Sequence, residues 1–462
     1  MSLKEVLTRY GQTHLLRFES QLTSDQLERL HGQLSQIDFA QLQRLIDNQD
    51  DRLDWSALAS RATPPPAVRL DRQHPDFSAQ EAGEAGRQAL ADGRVGLILV
   101  AGGQGTRLGF DQPKGLFPIG PISHRTLIQM HCDRLLALSQ RYQVPIPMLV
   151  MTSPATDAAT RAYFEAHDRC GLAEKDLIIF CQGTMPAVDA ASGKILMAST
   201  SSLALSPDGH GGLVAALDRH DCLKQAKQRG IDLFTYAQVD NPLAELCDAE
   251  LIGYHLLARS ELTTQVVKKR FAKEKVGNVV SVDNKVQIIE YSDLPDTAAE
   301  QCDPAGELKL WAGNIAVHVF NRTFLESVVA SADGLPFHRA SKVVPFVDEA
   351  GDLVEPPSAN AIKFERFVFD LLPMAERAFV VEGDASQVFA PVKNANGAAV
   401  DTPDTAQTAL LDLHRGWLTA AGAQIPNSLR VEIHPHWALD GDDVKKQLAD
   451  SNIQFEADTF LR

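Results

Sequence analysis

The stretch VGLILVAGGQGTRLGFDQPKG, Val95 to Gly115, runs from an unbroken apolar segment straight into a loop carrying five glycines. A short apolar run without polar alternation is the mark of a strand buried on both faces, as in a parallel sheet covered by helices. Ligands in such sheets bind beyond the carboxyl ends of the strands, where this loop begins. Gly102, Gly103 and Gly105 allow close backbone approach to a polyanion and can turn their amides inward, while Arg107 and Lys114 add mobile positive charge. Two common phosphate loops do not fit. The dinucleotide fingerprint needs G-x-G-x-x-G, and Gly103, Gly105 and Gly109 are one residue too widely spaced. No glycine is followed by Lys-Ser or Lys-Thr, as the NTPase loop requires.

Outward from this loop the alternation continues. A helix ends near Gly93, and another carries Leu127, Met130, Leu135 and Leu138. Strands are expected at Ile146 to Met151, Leu177 to Cys181, Ile231 to Val239, Leu262 to Lys268 and Ile315 to Phe320. VVSVDNKVQIIEYSD has the pattern of a hairpin turned at Asp283 and Asn284, so the sheet is expected to be mixed, with an antiparallel edge. Alternating strands and helices imply an α/β fold with helices on both faces. Before it, Leu22, Leu27, Leu30 and Leu34 have helical spacing, with Thr23 and Gln26 placed as a capping box. Pro64, Pro65 and Pro66 force an extended strap or boundary. After about Ala399, VDTPDTA suggests a linker into a small module. Three segments follow: an N-terminal helical segment 1–80, a central domain 81–398 and a small C-terminal domain 399–462.

The formal net charge of −16 and the lack of a dense Lys/Arg block argue against nucleic acid as a partner, so any phosphate chemistry must use a few placed cations. No apolar run of membrane-spanning length occurs, and the first residues are polar and amphipathic, which points to no membrane association and a cytoplasmic location. The cysteines, Cys132, Cys170, Cys181, Cys222, Cys247 and Cys302, lack metal or redox spacing and read as buried thiols. His434 and His436 in EIHPHW read as structural.

AGGQGTRLG followed by Pro113, Lys114 and Gly115 resembles the nucleotide-binding loop of the UDP-sugar pyrophosphorylases, above all the eukaryotic-type UDP-N-acetylglucosamine pyrophosphorylases. Further blocks match in order: GQTHLLRF, MTS, PDGHGGL, QVDNPL, IIEYSDL, AGNIAVHVF, KVVPFVDEAG, AIKFERFVFDLL and FAPVKNANG, over roughly residues 10 to 440. The resemblance implies a nucleotide-diphosphosugar-transferase-like (Rossmann-like) mixed sheet, and UTP and a sugar 1-phosphate as partners. It also implies in-line attack of the sugar phosphate on the α-phosphorus with loss of pyrophosphate. No protein nucleophile is needed, so positioning and charge stabilisation carry the reaction.

By the same resemblance, Arg107 and Lys114 hold the triphosphate, and Lys363 and Lys393 neutralise the sugar phosphate and the α-phosphate. Gly102, Gly103, Gly105, Thr106, Gln182 and Gly209 bind the nucleotide. Glu290 and Asn314 take the sugar hydroxyls, and Tyr291 and Phe367 pack. Asp240, ending an apolar strand, is the expected Mg²⁺ contact, since magnesium needs only one or two protein carboxylates beside substrate phosphates. One departure bears on the sugar: His210 stands in PDGHGG where the N-acetylglucosamine enzymes usually carry Asn, and UDP-glucose pyrophosphorylases carry His in a related block. N-acetylglucosamine 1-phosphate is the first expectation, with UDP-glucose or broad UDP-sugar synthesis second. A non-catalytic nucleotide-sugar sensor is the outside reading, disfavoured by the full set of charged residues, and an NAD-dependent oxidoreductase is opposed by the loop spacing. The expected oligomeric state is a monomer or weak dimer.

Overall fold

The computed structural model describes residues 2–47, 54–331, 334–450 and 453–462. Its chain gathers into two compact units, each assembled from three separate segments: residues 1–54, 182–215 and 332–370 form one, and residues 55–181, 216–331 and 371–462 the other. These boundaries differ from the three consecutive segments expected from sequence.

The larger unit is built on a nine-stranded mixed sheet. Its strands are β1 (Val95–Val100), β2 (Met148–Thr152), β3 (Leu177–Cys181), β4 (Leu233–Gln238), β5 (Leu262–Lys268), β6 (Asn278–Val282), β7 (Lys285–Ile289), β8 (Ala312–Asn321) and β9 (Ala378–Glu382). Spatial order is β7-β6-β8-β4-β1-β2-β3, with β5 paired to β8 and β9 to β5. The strands β4, β1, β2 and β3 run parallel; β8 pairs antiparallel with β4 and β5. The first strand therefore has later strands on both sides. Such a reversal of strand order is where open α/β sheets place their ligands, and the glycine-rich loop leaves from it. The expected hairpin forms between β6 and β7, and its two turn residues, Asp283 and Asn284, both have positive φ (51° and 64°), as a two-residue hairpin turn demands.

Helices α1 (Ala79–Ala91), α2 (Leu127–Tyr142) and α3 (Ala249–Leu257) belong to this unit. The first and third cross at almost bare backbone. A Cβ on Gly86 would lie 1.7 Å from the Ala249 carbonyl oxygen, and one on Gly253 would lie 1.6 Å from that of Ala82. The Pro64–Pro66 run is a strap: Thr63 bridges to Ser281 on β6, and Val68 donates its amide to Val380 on β9. VDTPDTA, expected to be a linker, instead starts a helix, α4 (Pro403–Ala420). Thr402 caps it and Pro403 occupies its first turn, where a missing N–H costs nothing and the fixed φ suits the helix.

Beyond α4 lies a small two-stranded parallel sheet, β10 (Val431–Ile433) with β11 (Thr459–Leu461), over a core that includes Leu418, Val431, Val444 and Leu461. This module grips the segment downstream of the glycine loop. Glu432 is 3% exposed; its carboxylate accepts from the Ile122 and Ser123 amides, both at 2.7 Å, and from Ser123 Oγ at 2.6 Å.

In the smaller unit the Ser24–Ser35 helix has the expected Thr23–Gln26 capping box. Its Leu30 and Leu34 join Leu7, Leu15 and Phe18 in a core completed by Val188, Ile195, Leu203 and Phe364. The N-terminal helices are thus one wall of a core whose other wall comes from far along the chain. Strand Ala361–Glu365 lies at its centre, antiparallel to His338–Lys342 and to Val188–Asp189.

Candidate active site

In the larger unit the loop after β1 closes on its own backbone. Gly105 donates to the Gln112 carbonyl at 2.9 Å and Lys114 to the Gly103 carbonyl at 3.0 Å, with a bridge between Gln104 and Pro113. A Cβ on Gly105 would fall 2.7 Å from the Phe110 carbonyl oxygen, so this position requires glycine. Gly103, Thr106 and Arg107 are exposed along the loop, Gly102 is half-buried, and Ser153 after β2 donates its hydroxyl to the Gly102 carbonyl at 2.8 Å. Arg107 sits in a single 3-10 turn and makes no ion pair among the described residues.

Where this loop returns to the sheet, Lys114 Nζ lies 3.1 Å from Oδ2 of Asp240, and both side chains are largely buried, at 16% and 14% exposure. Asp240 Oδ1 has no hydrogen-bond partner among the described residues. The two residues reach each other because β1 and β4 are neighbours: Val239 donates to the Val100 carbonyl at 3.0 Å, extending the ladder to the base of both loops.

The Asp240 segment is held from a third direction. Val392 donates its amide to the Asp240 carbonyl at 2.8 Å. Next to it, buried Asn241 donates Nδ2 to the Val388 carbonyl at 2.8 Å and accepts from the Ala390 amide at 3.0 Å. That lacing brings Lys393 to the same end of the sheet. Its Nζ stands 4.0 Å from Asp401 Oδ2, and its amide donates to the Asp401 carbonyl at 2.7 Å. Burial raises the Asp401 carboxyl above the usual range, with Lys393 opposing the rise.

Glu290 and Asn314 meet across Gly277. A Cβ on that glycine would lie 2.9 Å from Glu290 Oε1 and 3.7 Å from Asn314 Cβ, so the bare backbone makes room for both. Asn314 donates its amide to the Gly277 carbonyl at 2.8 Å, and its Oδ1 accepts from Ala316 at 3.0 Å.

The remaining candidates belong to the smaller unit. Gln182, directly after β3, is buried. Gly209 has φ +83°, and a Cβ there would meet the Arg366 carbonyl oxygen at 2.3 Å. His210 accepts the Val368 amide on Nδ1 at 3.1 Å and packs beside Phe367 and Phe369, with ring centroids at 5.3 and 5.6 Å. Burial, with His338 nearby, lowers its pKa to about 4. The neutral ring that results carries its proton on Nε2, a hydrogen-bond donor. Lys363 is half-buried on strand Ala361–Glu365, opposite Ala340, and Phe367 stacks on Phe369 at 4.9 Å, the packing role expected for it.

Three participants were not among the expected site residues: Ser153, Asn241 and Gly277. The first two lie inside the matching MTS and QVDNPL blocks, and only their long-range partners reveal what they hold. Among the described residues no group of three or more His, Cys, Asp or Glu side chains gathers at metal-binding spacing, and no helix is long and apolar enough to cross a membrane. The six cysteines form no disulfide.

The chain resembles several known proteins. It is 36% identical to the UDP-N-acetylglucosamine pyrophosphorylase of Saccharomyces cerevisiae, over 78% of this chain and 77% of that protein. It is 30% identical to UDP-N-acetylglucosamine diphosphorylase 2 of Arabidopsis thaliana, over 96% of this chain and 91% of the relative. Among solved structures, the uridine diphosphate N-acetylglucosamine pyrophosphorylase of Trypanosoma brucei superposes with a TM-score of 0.84 at 26% identity, covering 100% of this chain and 98% of that one. The putative UDP-N-acetylglucosamine pyrophosphorylase of Entamoeba histolytica gives 0.76 at 31% identity, covering 87% and 98%. A UDP-glucose pyrophosphorylase of Leishmania major, at 16% identity and a TM-score of 0.61 over 80% of this chain and 77% of that one, shares the fold. Residues 38–450 match the family model described as UTP--glucose-1-phosphate uridylyltransferase, and the chain is a member of that family.

Proposed function

We propose that the protein joins UTP to N-acetylglucosamine 1-phosphate, forming UDP-N-acetylglucosamine and pyrophosphate. A phosphate oxygen of the sugar forms a bond to the α-phosphorus while the bond from that phosphorus to the bridging oxygen of the β-phosphate breaks. Two anions must approach each other, and cations around the reacting phosphorus offset their repulsion. The observation that carries this reading is the meeting of Lys114, Asp240 and the Lys393 segment at the carboxyl ends of β1 and β4.

In this reading Lys114 and Arg107 hold the β- and γ-phosphates and steady the leaving group. Lys393 and Lys363 neutralise the attacking sugar phosphate and the α-phosphate. Amides of Gly102, Gly103, Gly105 and Thr106 line the nucleotide path, and Gln182 and Gly209 meet the uracil. Glu290 and the Nδ2 donors of Asn314 suit sugar hydroxyls, which both donate and accept. Asp240 fits a substrate-borne Mg²⁺, because one carboxylate oxygen is already on Lys114 and the other has no partner among the described residues. When bound, such an ion supplies charge neutralisation on the phosphates. Asp240 then has two duties, orienting Lys114 and receiving the cation. The low occupancy of protein carboxylates at this point is what an ion carried in by a nucleotide requires.

The second reading, UDP-glucose or broad UDP-sugar synthesis, is favoured by one observation: His210 offers a single N–H donor where an Asn would offer two donors and an acceptor. Pyrophosphate release from UTP with a panel of sugar 1-phosphates, in wild type and in His210→Asn, tests both. The expected result is preference for N-acetylglucosamine 1-phosphate, increased by His210→Asn. Equal rates with glucose 1-phosphate sink the first reading, and no release with any sugar phosphate sinks both. Because the ring is already neutral, the wild-type rate should show no inflection from His210 between pH 8 and pH 5.

A further inference from the structure

Beside the segment that follows Asp240, the larger unit forms a cavity of about 50 Å³. Its walls are α2, the Pro242–Glu245 segment that leaves Asp240, α4 and the first strand of the C-terminal module. A single water needs roughly 10 to 15 Å³ on the same measure, so the space takes a cluster of about four waters or one small tetrahedral ion. It is too small for a nucleotide or a sugar phosphate.

The lining is unusually rich in nitrogen donors, and one of them is uncompensated. Arg125 is paired with Asp133 at 2.8 Å, and His434 Nε2 reaches the same carboxylate at 3.4 Å. Glu432 is saturated by the Ile122 and Ser123 donors. Arg134 is different: its Nε is sealed from solvent without a hydrogen-bond partner, and among the described residues no carboxylate lies within ion-pair distance of its guanidinium. The acid closest in effect is Glu245, whose carboxyl is pushed up to about 7 by burial and then by Asp248, with Arg134 only partly opposing. It is therefore a poor counter-ion for Arg134. His414 accepts the Ile433 amide on Nδ1 at 3.2 Å, which leaves its proton on Nε2 as a further donor in the same wall. A guanidinium fork matches tetrahedral oxyanions better than any other side chain does.

We propose that this cavity binds a small tetrahedral oxyanion, free phosphate or sulfate, on the Arg134 fork, and that the bound ion braces the segment carrying Asp240. The connection is short. His131, one helical turn before Arg134 on α2, bonds through Nε2 to the Val239 carbonyl at 3.0 Å, and Pro242 and Leu243 form the cavity wall two and three residues after Asp240. An ion seated there touches both ends of the link and reduces the freedom of the strand end between them. The inference concerns the ion and the Asp240 segment, and it stands whichever sugar the enzyme uses.

The test is calorimetric titration of the full chain with sulfate, phosphate and pyrophosphate, each repeated in Arg134→Gln, Arg134→Lys and Lys114→Gln. Wild type should bind sulfate and phosphate at one site outside the triphosphate site, so Lys114→Gln keeps it. Arg134→Gln should weaken it by about tenfold or more, and Arg134→Lys, which retains charge but loses the fork, should fall between. Hydrogen exchange at residues 239–246 should slow on adding sulfate to Lys114→Gln, and should not slow when Arg134 is also Gln. Wild-type affinity in both Arg134 variants overturns the proposal, as does loss of all binding in Lys114→Gln or no binding up to about 10 mM, the weak end of specific affinities. Preference for pyrophosphate over the smaller ions in Lys114→Gln, where the triphosphate site is weakened, overturns it too. Turnover measured without these ions separates this outcome from failure of the proposed reaction, because ion binding is read without substrate.

Discussion

The segments after β1 and β4 leave neighbouring parallel strands, yet they are held in opposite ways. The first is tied mainly to itself, through Gly105 to Gln112 and Lys114 to Gly103, and it leaves Thr106 and Arg107 exposed. The second is tied to a distant part of the chain, with Asn241 buried between Val388 and Ala390 and the Asp240 carbonyl holding Val392. The difference teaches a division of labour. One strand end leaves its donors exposed, and the other fixes a carboxylate against which Lys114 is oriented. Lys114 belongs to both, since its backbone closes the first loop and its ammonium rests on the second.

That contrast can be broken by substitution. The largest effect is expected from Lys114→Gln. It removes a charge-assisted contact in a largely buried site, for which roughly 2 to 4 kcal/mol of transition-state stabilisation is ordinary, so turnover should fall about a hundredfold or more. If steady-state assays show less than a tenfold loss, the ammonium is not at the reacting phosphates. Next comes Asn241→Ala, which leaves the Val388 carbonyl and Ala390 amide buried without partners. A loss of about 2 to 3 kcal/mol in unfolding free energy should appear in denaturant melts. A stability unchanged within about 0.5 kcal/mol would mean that the second segment does not depend on this lacing. The smallest effect belongs to Arg107→Gln. An exposed, unpaired guanidinium on an adaptable loop should mainly raise the KM for UTP, by about tenfold, with stability unaltered. A loss equal to that of Lys114 would show the loop closing tightly over its ligand and would sharpen the contrast into a gating step.

Much of the larger unit is legible in residue order because its signals are local. The apolar run Val95 to Ala101 and the Asp283-Asn284 turn each contain their own physical cause, as does the Thr23–Gln26 capping box in the smaller unit. The site's cations were legible only through matching blocks, since Lys363 or Lys393 alone looks like any surface lysine. What stayed hidden is non-local. Nothing near Leu30 and Leu34 says that their partners are Val188, Leu203 and Phe364, so the N-terminal helices looked like an appendage. Asn241 resembles a loop residue until Val388 and Ala390 are brought to it. Pro403 misled because the same fixed φ that breaks a helix interior favours its first turn.

The Glu432 clasp has a consequence for how the molecule comes into being. A ribosome makes the chain from its amino end, so the tip at Ile122 and Ser123 emerges some three hundred residues before the carboxylate that holds it. Until that arrival the two amides of the tip lack this acceptor. Completion of this tip therefore waits until residue 432 has been made.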